Sequence, residues 1–215
     1  MEYDYSEIRD GKTPGRCFMN QTLANIDFKY PVLDVGGGHK FSYHRYMDTK
    51  NNKTVAINLP RAESMDVIAD AESTFPFHHN SFETVFCFNI IEHLYEYQNV
   101  YTESYRVLKD GGKLLLSIPF FYKIHGDPSD FNRFTEYRLR RDLSNFNNII
   151  IHALDEGPIS AGFSQILPIL KFNILKYIIW EISRLSDSTL KRNVDKYKML
   201  FSGKYPIGYV VEAVK

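Results

Sequence analysis

Apolar residues along this chain follow two alternating patterns. Short uninterrupted runs, each ending in polar residues, occur at 31–35 (PVLDV), 54–57 (TVAI), 66–69 (DVIA), 83–88 (ETVFCF) and 113–118 (KLLLSI). Runs of that length, rich in Val, Ile, Leu and Phe, predict strands covered on both faces. Between them the apolar residues recur at helical spacing. Leu94, Tyr97, Val100, Tyr101, Tyr105 and Leu108 predict a helix over 94–109, with Asp110, Gly111 and Gly112 as its stop. Thr135 is placed to cap a helix running to about 143. A short helix is expected around Phe18, Leu23 and Ile26, another over 39–48, and the last two strands at 147–154 and 205–214. A mainly helical insertion, 164–190, lies between those strands. Strands alternating with helices predict an α/β fold, a doubly wound and mostly parallel seven-stranded sheet with ligands beyond the carboxyl ends of its strands.

Composition narrows the picture. A chain of 215 residues suits a single domain. Its expected parts are an N-terminal segment 1–30, a core 31–154, the insertion within 164–204 and a last strand 205–214. The 26 basic and 26 acidic side chains balance, so the uniform basic field used to hold nucleic acid non-specifically is absent, and no nucleic-acid partner is expected. The two cysteines, Cys17 and Cys87, form neither a CxxC pair nor a disulfide framework, and the first residues, MEYDYSEIRD, are acidic where an export signal is basic and then apolar. Both point to a cytoplasmic protein. The most apolar segment, 166–182, is interrupted by Pro168, Lys171, Asn173 and Lys176 and is too broken to span a bilayer.

The chemistry is expected where the first strand ends. Asp34 is followed by Gly36, Gly37 and Gly38, which let backbone approach a ligand without an intervening Cβ. A dinucleotide fingerprint needs a glycine three residues beyond Gly38, and Phe41 stands there instead. The other strand ends supply Asn58, Asp70, Asn89, Glu92 and His93, and the loop from 119 to 133 follows the fifth.

VLDVGGG, then ADAESTFPFHHNSFETVFCFNIIEHL, then YRVLKDGGKLLLSIPF, in this order and spacing over 31–143, resembles the class I S-adenosylmethionine-dependent methyltransferases, especially small ones acting on metabolites and glycans. The resemblance implies a Rossmann-like fold with an antiparallel last strand, S-adenosylmethionine as cofactor and S-adenosylhomocysteine as product. It places Gly36, Gly37 and Gly38 along the methionine end, Asp34 near the amino group, Asp70 and Ala71 at the adenine, and Asn89 along the cofactor. Two departures stand out: Lys40 where a further glycine is usual, and Asn58 where an acid ordinarily holds the ribose diol. Since charged acceptors bond more strongly, Asn58→Asp is expected to tighten cofactor binding.

The segment PFFYKIHGDPSDFNRFT resembles the H-x-x-P-x-D-x-x-R-F-T segment of methyltransferases in surface-glycan pathways. It makes His125 the candidate general base, oriented by a carboxylate such as Asp127, and Tyr122, Arg133 and His93 candidate substrate contacts. An Asp130–Arg133 salt bridge inside a structured loop is the plainer reading. His78 and His79 point apart in an extended turn, so no metal is expected. In the insertion, Asn173, Lys176, Trp180, Arg184 and Asp187 share one helical face, with Trp180 as a candidate substrate or membrane contact on a polar stripe. The acceptor is then an oxygen of a sugar or small metabolite, soluble or lipid-linked. Cofactor binding without turnover and nucleic-acid methylation are the alternatives, the latter without a basic stripe or an Asn/Asp-Pro-Pro-aromatic motif, since Ile90 and Ile91 follow Asn89.

Overall fold

The computed structural model describes residues 4–38, 43, 53–60, 65–126, 128–193 and 204–215. The expected helix over 39–48 falls outside them, apart from Tyr43. The strands are β1 (Val32–Val35), β2 (Thr54–Asn58), β3 (Val67–Ile68), β4 (Phe82–Phe88), β5 (Leu108–Pro119), β6 (Asn147–Ala153) and β7 (Gly208–Val214). The helices are α1 (Pro14–Ala24), α2 (Gln98–Val107), α3 (Glu136–Asp142), α4 (Pro158–Ser164) and α5 (Asn173–Asn193). One seven-stranded sheet runs in the order β3, β2, β1, β4, β5, β7, β6. The first five strands are parallel. β7 runs against them, with the Gly111 N–H donating to the Lys215 carbonyl and the Lys215 N–H to that of Gly112. This is the doubly wound α/β sheet of the Rossmann-like methyltransferase fold.

β1 is central because all four of its residues are buried, and only a strand with neighbours on both sides and cover on both faces meets that condition. Asp34 lies opposite Ala56 of β2 and Phe86 of β4. The described chain divides into two compact units. The larger, within 23–118, 124–152 and 210–215, carries the sheet, and the smaller comprises the described parts of 1–22, 119–123 and 153–209.

One expected boundary moves. The 94–109 helix starts late, at Gln98, and ends at Val107, while Asp110, Gly111 and Gly112 belong to β5 and do not cap the helix. Leu108 is already extended and pairs with Phe82, so the ladder to β4 draws the chain out of the helix before the glycines are reached. Thr135 does cap α3, accepting from the Arg138 N–H at 3.3 Å.

In the smaller unit the polar stripe of α5 faces inward. Trp180 and Asp187 are wholly buried, and Trp180 meets the Tyr5 ring edge-on at 5.2 Å. Asp187 accepts from the Ile159 and Ser160 N–H groups and the Ser160 hydroxyl, satisfying the start of α4. Arg184 lies over the Tyr5 ring. The exposed side of α5 is apolar instead, with Ile174, Ile178, Ile182 and Leu185 open to solvent. Trp180 therefore sits in a core and not on an open polar stripe, because Asp187, Arg184 and Tyr5 give that stripe its partners inside. Among the described residues no helix is long and apolar enough to cross a membrane.

Helix α2 also fixes the loop after β3. The Asn99 side-chain amide donates to the Ala71 and Ser73 carbonyls, Glu103 accepts from the Phe75 N–H at 2.7 Å, and Arg106 donates to the Phe75 and Phe77 carbonyls. These residues share a face through their spacing of four and three. Arg106 also holds the Glu103 carboxylate with two hydrogen bonds, which, with the Phe75 N–H, keeps the Glu103 carboxyl below the usual glutamate value. A depressed carboxyl contributes stability that is complete above its unfolded value, about 4.3, and is lost as pH falls below it. Glu103→Gln is expected to cost about 1–3 kcal/mol at neutral pH and to flatten the fall of stability as pH drops below about 4.3. Urea denaturation of both proteins across that range measures it; parallel curves would remove Glu103 from the acid response.

Candidate active site

The parallel strands bring the candidate residues to one edge of the sheet, because each follows the carboxyl end of its own strand. Asp34 and the three glycines close β1, Asn58 ends β2, Asp70 and Ala71 follow β3, and Asn89 follows β4. Asp34 is buried, and its Oδ2 accepts a 2.8 Å hydrogen bond from the Tyr43 hydroxyl. Tyr43 in turn packs edge-on against Phe88, 5.0 Å away. Tyr43 had no signal in the sequence beyond an aromatic nine residues after the acid.

The turn passes directly over this carboxylate. Gly36 has φ +73°, and a Cβ on Gly37 would lie 2.2 Å from the Asp34 carboxyl carbon. Only glycine lets the backbone come so close. Asn58 holds the turn from the other side. Its Nδ2 donates to the carbonyls of Gly36 (3.0 Å) and Gly37 (3.1 Å), and its Oδ1 accepts from the Leu59 N–H at 2.8 Å. The Leu59 N–H can only donate, so the amide has one orientation. Asn58 is thus a clamp on the glycine turn, a role the sequence did not suggest. The expectation for Asn58→Asp reverses, because a carboxylate would face two carbonyl oxygens with nothing to donate.

Asp70 accepts from the Glu72 N–H at 2.9 Å, a local turn that the bonds from α2 then hold. Asn89 takes φ +55°, a conformation asparagine tolerates, and its Oδ1 accepts from the Ser117 hydroxyl at 3.3 Å.

Beyond β4 a second group assembles. The Glu92 carbonyl accepts from the Phe131 N–H at 2.7 Å and the Asn132 N–H at 3.2 Å, while the Asn132 side-chain amide donates to the Leu94 carbonyl. Loop 124–133 is thereby stitched to the end of β4, which brings His125 to Glu92 and His93. The Glu92 side chain is wholly buried. Its Oε1 lies 3.7 Å from His93 Nε2 and 3.9 Å from His125 Nε2, and the two rings meet edge-on with centroids 4.9 Å apart. The carboxylate beside His125 is Asp130, whose Oδ2 accepts from the His125 N–H at 2.8 Å and lies 3.4 Å from His125 Nδ1. Asp127 lies outside the described residues. The hydrogen bonds that Arg133 donates to Asp130 hold its carboxyl far below the usual carboxylate range. Arg133 therefore forms the internal bridge that the sequence allowed. Tyr122 and Trp180 belong to the smaller unit, and His78 and His79 are exposed turn residues.

This edge fits the cofactor the sequence suggested. A glycine turn that cannot accept a Cβ, lying against a buried acid, suits a zwitterionic amino-acid end. Asp70 and Ala71, held by α2, suit the edge of an adenine.

Residues 33–116 match the family model described as a methyltransferase domain. Solved structures with this fold include a SAM-dependent methyltransferase from Archaeoglobus fulgidus, 16% identical, covering 99% of this chain and 100% of that one with a TM-score of 0.56. Phosphoethanolamine N-methyltransferase 2 of Haemonchus contortus, in complex with S-adenosyl-L-methionine, is 18% identical over 93% of this chain and 52% of its own, with a TM-score of 0.54. The [4+2]-cyclase SpnF is 15% identical over 99% and 86%, with a TM-score of 0.58. At these identities the likeness is one of fold. No curated protein matches the sequence. The matched stretch is similar to a methyltransferase domain, and the solved structures share its fold.

Two variants test the turn. Gly37→Ala is expected to abolish S-adenosylhomocysteine binding by pushing the backbone off Asp34, and Asn58→Asp to weaken it about tenfold or more through loss of two hydrogen bonds. Isothermal calorimetry measures both; an Asn58→Asp variant that binds more tightly than wild type would restore the ribose-acceptor reading.

Proposed function

We propose that this protein methylates an oxygen of a sugar or other small hydroxylated metabolite, with His125 as the base that takes the acceptor's proton. The observation that carries this reading is the imidazole of His125, partly open to solvent, held between the buried Glu92 carboxylate and Asp130 at the end of β4. When bound, S-adenosylmethionine supplies an electrophilic methyl group on a sulfonium. The chain's own contribution is to position an acceptor hydroxyl and remove its proton. Asp130, kept ionised by Arg133, holds the His125 backbone N–H and lies beside Nδ1, which leaves Nε2 to accept a proton. Glu92 then stabilises the imidazolium through the positive charge it gains. An oxygen acceptor suits this arrangement because a hydroxyl must lose its proton as it is alkylated.

A second reading, cofactor binding without methyl turnover, draws on one neighbour: a protein named as a [4+2]-cyclase has this fold, so the fold alone does not prescribe methyl transfer. Single-turnover methyl transfer to a panel of sugars and small hydroxylated metabolites, at saturating cofactor and across pH, separates them. His125→Ala is expected to slow transfer by roughly a hundredfold or more, to remove the acid limb of the pH profile and to leave S-adenosylhomocysteine affinity unchanged. Equal rates in variant and wild type would take His125 out of the mechanism. Cofactor binding with no transfer to any acceptor would favour the second reading.

A further inference from the structure

The three side chains that meet beyond β4 have a shared property that a base alone does not require. Each turns an acceptor toward the other two. His93 Nδ1 lies 2.6 Å from the Ser129 carbonyl oxygen, and since a carbonyl can only accept, Nδ1 carries the proton and the neutral ring's lone pair is at Nε2. His125 Nδ1 lies beside the Asp130 carboxylate, which likewise puts its proton on Nδ1 and its lone pair on Nε2. Both Nε2 atoms are close to Oε1 of the buried Glu92, at 3.7 and 3.9 Å, and one ligand atom from each of the three residues lies within 4.8 Å of the others. One proton can bridge a single pair of these acceptors. A cation can engage all three.

We infer that Glu92, His93 and His125 form a binding site for a first-row divalent cation. Zinc holds nitrogen and oxygen ligands at about 2.0–2.2 Å, so donors of a tetrahedral site stand about 3.4 Å apart. The two Glu92–imidazole separations, 3.7 and 3.9 Å, need to close by a few tenths of an ångström, and the third, within 4.8 Å, has further to close. Two imidazoles and one carboxylate suit manganese, cobalt, iron or zinc better than calcium or magnesium, which prefer all-oxygen sets. The surroundings are those of a ligand set, since metal-binding histidines donate their second ring N–H to a carbonyl or carboxylate, as His93 does to Ser129 and His125 is placed to do to Asp130. The site is also open on one side. Glu92 is wholly buried, but the His93 and His125 side chains are 13% and 31% exposed. Three protein ligands with open positions are the arrangement of a cation that also takes a substrate or solvent oxygen.

The site deepens the methyl-transfer reading, on which it rests only for the identity of that oxygen: an acceptor hydroxyl bound to the cation becomes more acidic. With the cation in place the lone pair of His125 is engaged, so the base role proposed for His125 belongs to the cation-free protein. The two roles are separable by experiment.

The full chain, freed of metal by dialysis against EDTA, is titrated with Mn²⁺ and followed by electron paramagnetic resonance, and in parallel with Zn²⁺ by calorimetry. One equivalent is expected to bind at micromolar concentration. His93→Ala and His125→Ala are each expected to weaken binding by roughly a hundredfold or more, and Asp130→Asn by about ten- to a hundredfold through the orientation of His125. Circular dichroism and S-adenosylhomocysteine affinity check that each variant is folded; both histidines are partly exposed, so the inference does not depend on a variant of the buried Glu92. No binding at millimolar cation, or binding that both histidine variants leave intact, overturns it. Methyl transfer by the EDTA-treated protein bears on the base alone. Full activity there, with no cation bound in the titration, leaves the base reading standing and the cation site refuted.

Discussion

The site depends on the approach of the glycine turn to the Asp34 carboxylate. An acid buried at the end of a central strand is costly unless hydrogen bonds replace the water it has lost. Tyr43 supplies one such bond, and the chain then folds directly over the group at Gly37, where a side chain of any size would strike it. That approach must be held from outside the turn. Asn58, at the end of the neighbouring strand, does so by donating to two turn carbonyls, a task for which an amide is suited and a carboxylate is not. The residue that looked like a weakened cofactor ligand is therefore part of the support for the turn over Asp34.

Local bonds of the same kind assemble the rest of the edge. Asp70 and Ala71 lie on an irregular loop, and their position comes from Asn99, Glu103 and Arg106 on one face of α2. Loop 124–133 is irregular too, and it is placed by backbone bonds to the Glu92 carbonyl and by the Asp130–Arg133 pair inside it. Side chains over thirty residues apart in sequence, Glu92 and His125, come to share one point because the intervening backbone is hydrogen-bonded there. In both loops regular elements provide rigid anchors and polar side chains carry the positional information.

The smaller unit inverts a common rule for amphipathic helices. α5 buries Trp180, Ser183 and Asp187 and exposes Ile174, Ile178, Ile182 and Leu185. The inward stripe is tolerable because its charged groups find defined partners, with Asp187 on the start of α4 and Arg184 on Tyr5 and Glu156. Burial of polar groups is governed by satisfaction and not by polarity as such. A helical-wheel argument sees only the separation of the two faces and cannot say which of them turns inward.

Much of this protein was legible in the sequence for a physical reason: buried strands need continuous apolar runs, and parallel strands place their carboxyl ends on one edge whatever the details of packing. The sheet, the Asp34–glycine turn and the Thr135 cap follow from local rules of that kind, whereas the antiparallel last strand was implied by the family resemblance alone. What the tertiary structure decided depended on partners distant in sequence. The glycines after α2 became strand because β4 and the Lys215 backbone offered them a ladder. Asn58 became a clamp because two carbonyls stood within reach. Among the described residues Asp130 stands beside His125 Nδ1, and Glu92, a strand-end acid in the sequence, became the buried centre of the cluster. Residue types and spacing along the chain determine which groups can meet; which of them do is set by where the backbone's own hydrogen bonds fold the loops.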